Sequence, residues 1–242
     1  MLQNIKELYG NKLAASDGDI GHVKDFYFDD KTWVIRYLVA DTGSWLTGRL
    51  VLLSPHAFGR IDQDGKILLV NLTRKQIENS PSIESHRPVS RQYEEEYYLY
   101  YGWPAYWQGG GMWGMGSYPV IMPPLPPKNL RHHGHNQRDD IHLRSTTAVT
   151  GYYIQATDGA IGSVSGFLVD DRSWAIRELV VETGHWYSGK EILISPSKIE
   201  RISYEDSKVF VNLTKADIQQ RTEENELAKA GPEKQGARNF RG

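Results

Sequence analysis

The sequence predicts a mainly β protein: two small six-stranded β-barrels in tandem, each followed by a short C-terminal helix and joined by a helical, aromatic-rich linker. Three observations lead there. One segment repeats without gaps at a shift of about 141 residues, apolar residues inside each copy alternate with period two between turn signals, and the composition changes sharply between the copies. Ser16-Asp17-Gly18-Asp19-Ile20-Gly21 returns as Thr157-Asp158-Gly159-Ala160-Ile161-Gly162, and Asp29-Asp30-Lys31-Thr32-Trp33 returns as Asp170-Asp171-Arg172-Ser173-Trp174. Thr42-Gly43-Ser44-Trp45 becomes Thr183-Gly184-His185-Trp186, Ser54-Pro55 becomes Ser195-Pro196, and Val70-Asn71-Leu72-Thr73 becomes Val211-Asn212-Leu213-Thr214. Roughly 28 aligned positions are identical, far beyond chance.

Asp17-Gly18 and Asp158-Gly159 are hairpin signals, because glycine accepts the positive φ of a tight turn. Strands are expected at Lys12–Ala15, Ile20–Phe28, Trp33–Asp41, Leu50–Leu53, Phe58–Ile61 and Lys66–Asn71. The second copy repeats them at Tyr152–Ala156, Ile161–Val169, Trp174–Glu182, Glu191–Ile194, Ile199–Ile202 and Lys208–Asn212. Closing six such strands on themselves removes exposed sheet edges. Thr73 and Thr214 can cap the short helix that ends each copy. Trp33 and Trp174, at strand starts, are expected to anchor the core of their own barrels. Arg36 and Arg177 fall inside strands on the face of Leu38 and Leu179, where each needs a partner, and the turn aspartates are the nearest candidates.

These residues carry a resemblance. The spacing of Asp-Gly, Ile-Gly, Asp-Asp, Trp, Ile-Arg, Thr-Gly, Trp, Ser-Pro and Val-Asn-Leu-Thr in both halves resembles tandem PRC-barrel proteins, whose barrel is shared by the photosynthetic reaction-centre H subunit and the ribosome maturation factor. The resemblance covers about 150 residues in two copies. It implies the fold, and it carries neither the photosynthetic nor the ribosomal role onto particular residues.

The expected organisation is a first barrel over residues 1–80, a linker over 81–145, a second barrel over 146–222 and a flexible tail over 223–242. In the linker Ser90 can cap a helix over Arg91–Tyr101 that Gly102 and Pro104 stop. Glu94, Glu95 and Glu96 in its early turns complement the helix dipole. Tyr93, Tyr97, Tyr100 and Tyr101 share a stripe, with Tyr98 beside it and Trp103, Tyr106 and Trp107 just downstream. Such a stripe either packs on a barrel or offers an interface, since tyrosine and tryptophan are enriched at interface centres. The uncharged run that follows, through Gly109-Gly110-Gly111 and Pro123-Pro124, is too rich in glycine and proline to span a membrane as one helix.

The 242 residues carry 28 basic and 30 acidic side chains and no cysteine. The near-neutral balance argues against a duplex nucleic-acid binder, and the missing thiols exclude disulfides, a cysteine nucleophile and thiolate metal sites. The first residues do not read as a secretory signal, so a cytoplasmic setting is expected. The richest cluster of potential ligands, His132, His133 and His135 with Asp139, Asp140 and His142, sits in a loop that nothing preorganises. Asp29-Asp30 and Asp170-Asp171 have turn composition. Trp45 and Trp186, in equivalent glycine-bounded loops, either plug a barrel end or line a contact. No phosphate loop, nucleophile elbow, dinucleotide fingerprint or zinc helix is present. The expectation is therefore a non-enzymatic interaction or scaffold module, without catalytic residue, metal or cofactor, that forms a homodimer through the linker aromatics and binds an unidentified protein partner. The rival readings are a small-ligand or metal sensor and an assembly factor docked on a membrane-bound or ribosomal complex.

Overall fold

The computed structural model describes residues 1–62, 66–81, 91–104, 143–184, 187 and 189–220, less the side chains of residues 91, 92, 93 and 95. After a short strand β1 (Leu2–Asn4), the first copy supplies β2 (Lys12–Ala15), β3 (Gly18–Asp29), β4 (Val34–Asp41), β5 (Leu50–Leu53), β6 (Phe58–Ile61) and β7 (Ile67–Val70). They hydrogen-bond in the order β5-β4-β3-β2-β7-β6. After β8 (Leu143–Ser145), the second copy supplies β9 (Tyr153–Ala156), β10 (Gly159–Asp170), β11 (Ile176–Thr183), β12 (Glu191–Ile194), β13 (Ile199–Ser203) and β14 (Lys208–Val211). Their order, β12-β11-β10-β9-β14-β13, is the same. Pairing is antiparallel except for β2 with β7 and β9 with β14.

Each sheet has seven strands where the sequence suggests six. The seventh comes from the leader of the other copy: β8 pairs with β3, Tyr27 opposite Ser145, and β1 pairs with β10, Leu168 opposite Asn4. Under the repeat these are the same register, so the two copies exchange equivalent strands. The physical reason lies in the length of β3. Its partner β2 reaches only as far as His22, which leaves Tyr27–Asp29 with an open edge that β8 fills. Arg144 fixes the incoming strand by an ion pair to Asp30 (Nε to Oδ2, 2.6 Å).

The chain forms two compact units that cut across the sequence copies. Unit 1 is Met1–Ala148 with Leu168–Arg177, and unit 2 is Val149–Phe167 with the residues from Glu178 onward. Unit 1 therefore contains both turns that carry the repeated Asp-Asp-x-x-Trp motif. In each, the first aspartate organises the turn: Asp29 Oδ1 accepts the amides of Lys31 (2.9 Å) and Thr32 (3.0 Å), and Asp170 Oδ1 accepts those of Arg172 (3.1 Å) and Ser173 (2.8 Å). These bonds, led by the Ser173 amide, hold the Asp170 carboxyl down to about 2. Each tryptophan is left-handed, with φ of 55° at Trp33 and 54° at Trp174, a conformation that costs a residue with a Cβ about 1–2 kcal/mol. The strands consequently begin one or two residues after the tryptophans, at Val34 and Ile176, rather than on them. The two turns bond reciprocally, Ile35 N to Trp174 O (2.9 Å) and Ile176 N to Trp33 O (2.7 Å).

The side chain of Trp174 is buried in unit 1, stacked on Phe26 (6.0 Å) and edge-on to Phe58 (4.6 Å), so the expectation that it anchors its own copy is corrected. Trp33 is half-buried against Phe28 (5.3 Å). The Asp-Gly signals do more than turn the chain. Asp17 Oδ1 accepts the amide of Arg74 (2.7 Å), at the start of α1 (Arg74–Glu78), and Asp158 accepts that of Lys215 (3.1 Å), where residues 215–220 are helical. Thr73 and Gln76 form a capping box on α1. The repeated Ile-Gly has a steric cause: a Cβ on Gly21 would lie 2.0 Å from the Asp41 carbonyl oxygen, and one on Gly162 2.0 Å from that of Glu182.

Gly21→Ala and Gly162→Ala should each lower stability by roughly 1–3 kcal/mol, because the neighbouring strand has to move. Urea denaturation measures this, and unchanged midpoints would show that the strands yield freely. Trp174→Ala should cost about 3–5 kcal/mol and weaken amide-exchange protection around Phe26 and Phe58, while Trp33→Ala, half-exposed, costs less.

Candidate interaction surface

The outer side of the first sheet presents Tyr37, Val39 and Leu52, and the helix α2 (Arg91–Tyr101) lies on it. Tyr97 and Tyr98 enter this cluster, 5.5 Å and 6.4 Å from the Tyr37 ring and both edge-on to it, the geometry in which ring edges meet ring faces. Tyr27, Leu50, Tyr101, Trp103 and Leu143 pack around them. The Tyr97 hydroxyl donates to Leu52 O (2.9 Å) and accepts from Ser54 N (3.0 Å). Because β5 ends the strand order of its sheet, this one hydroxyl serves two backbone groups on an edge that no further strand among the described residues covers.

The helix stops where Gly102 turns left-handed at φ 69°. Trp103 N then donates to Tyr98 O (3.0 Å) and Gly102 N to Leu99 O (3.2 Å), the Schellman pair, with Trp103 packed against Tyr98. This cap places Trp103 flat on Tyr101 (4.5 Å) and over the His56 ring (5.6 Å).

Buried polar groups are built into the same surface. Glu94, the member of the acidic run that sequence reading placed in the helix's early turns for its dipole, is fully buried and accepts from the Tyr37 hydroxyl (2.8 Å). A carboxylate out of water is tolerated only where donors meet it. Arg36, also buried, lies 3.6 Å from Asp29 and donates to Thr32 Oγ1 (2.9 Å), so the turn aspartate expected as its partner is the one found. Burial pushes the Tyr101 phenol up to about 12 and raises that of Tyr98. Burial, then the nearby Arg36 charge, holds His56 below the ordinary imidazole range.

The candidate interface residues thus divide. Tyr97 and Tyr98 belong to the core of unit 1 and cannot serve as a free surface, because the apolar sheet face takes them up. Tyr101 and Trp103 are half-buried beside them, and Tyr100 is 42% exposed, its hydroxyl donating to Gln76 O (2.9 Å). Trp45 is half-buried under the Arg74 guanidinium, 4.6 Å from its ring centre. Arg177, unlike Arg36, is exposed, which corrects the expectation that both arginines are drawn into a strand face. The side chain of Tyr93 and all of Tyr106, Trp107, Trp186, the histidine cluster His132–His142 and the tail lie outside the described residues. Among the described residues no group of three or more potential metal ligands occurs, and no helix is long and apolar enough to cross a membrane.

Sequence reading missed Leu99, 83% exposed on α2, because the tyrosines around it dominate the pattern. It also missed Asp25. That carboxylate accepts Ser145 Oγ, Thr146 Oγ1 (3.0 Å) and the amide of Thr147 (3.1 Å), and so receives the chain as it returns through β8 into α3 (Thr146–Val149). Only the fold brings those residues within reach.

Tyr97→Phe should cost about 1–3 kcal/mol, since it leaves Leu52 O and Ser54 N without their hydroxyl, and should loosen α2 ahead of the sheet in amide exchange. His56 binds protons more readily in the unfolded chain than in the fold, so its contribution to stability is complete above the ordinary imidazole range and is lost as pH falls from that range through its lower value in the fold. Urea midpoints across this window should fall with acidification in the parent and fall less in His56→Gln.

The PRC-barrel domain model matches residues 4–77. No curated protein matches the chain. The match spans the first copy from its leader to α1, and the second sheet repeats the same strand order. Residues 4–77 of this chain are a PRC-barrel domain, and the second sheet of like topology is consistent with a tandem arrangement of that family's fold.

Proposed function

We propose that the chain is a non-enzymatic protein-interaction module of the cytoplasm, a scaffold that associates with itself through the outward side of α2. The PRC-barrel domain supports an interaction or assembly role. The observation that carries the finer reading is the contrast along α2. Tyr97 and Tyr98 fix the helix to unit 1, which leaves Leu99 at 83% and Tyr100 at 42% exposure on the side turned away. A large apolar side chain held that far out on a rigidly seated helix costs free energy in the isolated chain and gains it when another surface covers it. The buried ionisable groups beside it have structural duties, Glu94 to Tyr37 and Arg36 to the Asp29 turn, so the reading assigns them no chemistry. A closed two-fold pair is the commonest way for a chain to cover such a patch with its own copy.

Light scattering across a dilution series tests the reading. A dimer mass at tens of micromolar that falls to monomer in Leu99→Ser or Leu99→Ser/Tyr100→Ser is the expected result. A monomer mass throughout removes self-association and leaves the helix as a surface for a different protein.

A further inference from the structure

The two copies share one strand order, so each serves as a control for the other. In unit 2, Ser203 lies opposite Lys208 and Lys208 beside Tyr153, while Arg201 lies opposite Phe210 and Phe210 beside Gln155. Cross-strand neighbours share a face, so these six residues form two rows on the outer side of β13, β14 and β9. Ile154 and Val209 turn the other way and are fully buried. None of the six outer residues is buried: Tyr153 is 61% exposed and Arg201 is exposed with it. The Arg201 guanidinium lies 3.8 Å from the centre of the Phe210 ring, which holds the cation flat on the sheet. Among the described residues neither Arg201 nor Lys208 has an ion pair. Glu200 and Glu205 flank the rows in sequence, and Asp206 accepts from Ser203 Oγ (2.8 Å). The first copy neutralises the same area, since Lys12 pairs with Asp19 (2.6 Å) and Asp62 stands where the second copy has Ser203. The second copy keeps Arg60 as Arg201, has Ala160 for Asp19, and puts Tyr153 in the place of Lys12. Its rows carry two cations, two rings and no carboxylate.

We infer that this face receives the outward side of α2 from a second copy of the chain, with Leu99 and Tyr100 against Tyr153 and Phe210 and with Glu96 against Lys208 and Arg201. The inference rests on the self-association proposed above and supplies the surface that α2 meets. The occupant follows from the helix itself. Glu96, Leu99 and Tyr100 stand at i, i+3 and i+4, so they share one face of α2, and all three are exposed. That ridge presents one acid and two large apolar groups, the complement in charge and character of two open cations and two rings. Pairing α2 with α2 leaves the acid unmatched, because Glu96, Leu99 and Tyr100 offer one another no cation. Glu94 is buried against Tyr37 and takes no part. The stacked guanidinium is already held in place, so docking spends less on ordering it. In a closed two-fold pair each chain gives one helix and one face, and the contact is made twice.

The test uses the full chain in two charge-reversed forms, Glu96→Lys on the helix and Arg201→Glu/Lys208→Glu on the face, with light scattering across a dilution series. Each form alone should raise the dimer dissociation constant at least about fivefold, since reversal turns a modest attraction into a repulsion in two equivalent contacts. An equimolar mixture of the two forms should regain most of the parent affinity, because each helix then meets a face of opposite sign. Added salt should weaken the parent pair and narrow its difference from the variants. Tyr153→Ser should weaken the pair several-fold at any salt concentration. Thermal unfolding checks that each variant folds, and Arg201→Gln/Lys208→Gln, a milder change with a smaller expected loss, replaces the reversal if that one does not. A dimer that Leu99→Ser dissolves while the face variants leave it intact overturns this inference and keeps self-association through α2. A mixture no tighter than its separate components overturns it as well, and a monomeric parent at tens of micromolar overturns both readings.

Discussion

The reciprocal bonds between the Trp33 and Trp174 turns, Ile35 N to Trp174 O and Ile176 N to Trp33 O, are the constraint around which unit 1 is organised. They require each turn to present its carbonyl outward just before a strand begins, and the left-handed tryptophan does this. Two such residues cost about 2–4 kcal/mol together, so the turns persist only because other contacts over-determine them. The Asp29 and Asp170 side chains tie up the turn amides from within, and the exchanged strands β8 and β1 pair with the sheet edges beside them. At the first turn, ring stacking on Phe28 adds to this, and at the second the indole of Trp174 is driven into the Phe26 and Phe58 core. Burying an indole contributes about 3 kcal/mol or more, enough to offset the backbone strain at its own position.

Exchange of the leader strands has a consequence for cooperativity. Unit 1 takes structural elements from both ends of the repeat, including the segment Leu168–Arg177, so it cannot be completed until most of the chain exists. The Asp25 cluster and the Arg144–Asp30 pair hold the returning segment at the point where the linker ends.

On the outer side of the first sheet, one helix converts an apolar sheet face and a bare edge into a satisfied core. The Tyr97 hydroxyl contributes about 1–3 kcal/mol in pairing alone, comparable with the area it buries, because Leu52 O and Ser54 N are cut off from water once the helix is seated. That dependence explains why the aromatic run is tyrosine rather than phenylalanine at this position. It also explains why the two copies, identical in strand order, present different surfaces: the residues that receive the helix, Tyr37 and Leu50, are glutamates in the second copy.

Much of the fold was legible before any coordinates. β2, β5, β6 and α2 occupy the expected residues, because alternation, Asp-Gly and Ser-Pro punctuation and the glycine stop are local signals read within a few residues. The gap-free repeat determined that both copies share one topology. Sequence alone could not show that Asp17 caps a helix 57 residues away, that Ile-Gly marks a close approach to the neighbouring strand's carbonyl, or that Trp174 fills a core outside its own copy. Each of those depends on which segments meet in space, and period-two patterns are equally consistent with any partner of the right hydrophobicity. Nor could it choose between exposure and burial for the tyrosines of α2, since the stripe reads the same whether a sheet or a second molecule covers it. Local chemistry determined the elements, and the tertiary structure alone decided their partners, because contacts distant in sequence leave no periodic signal in a single chain.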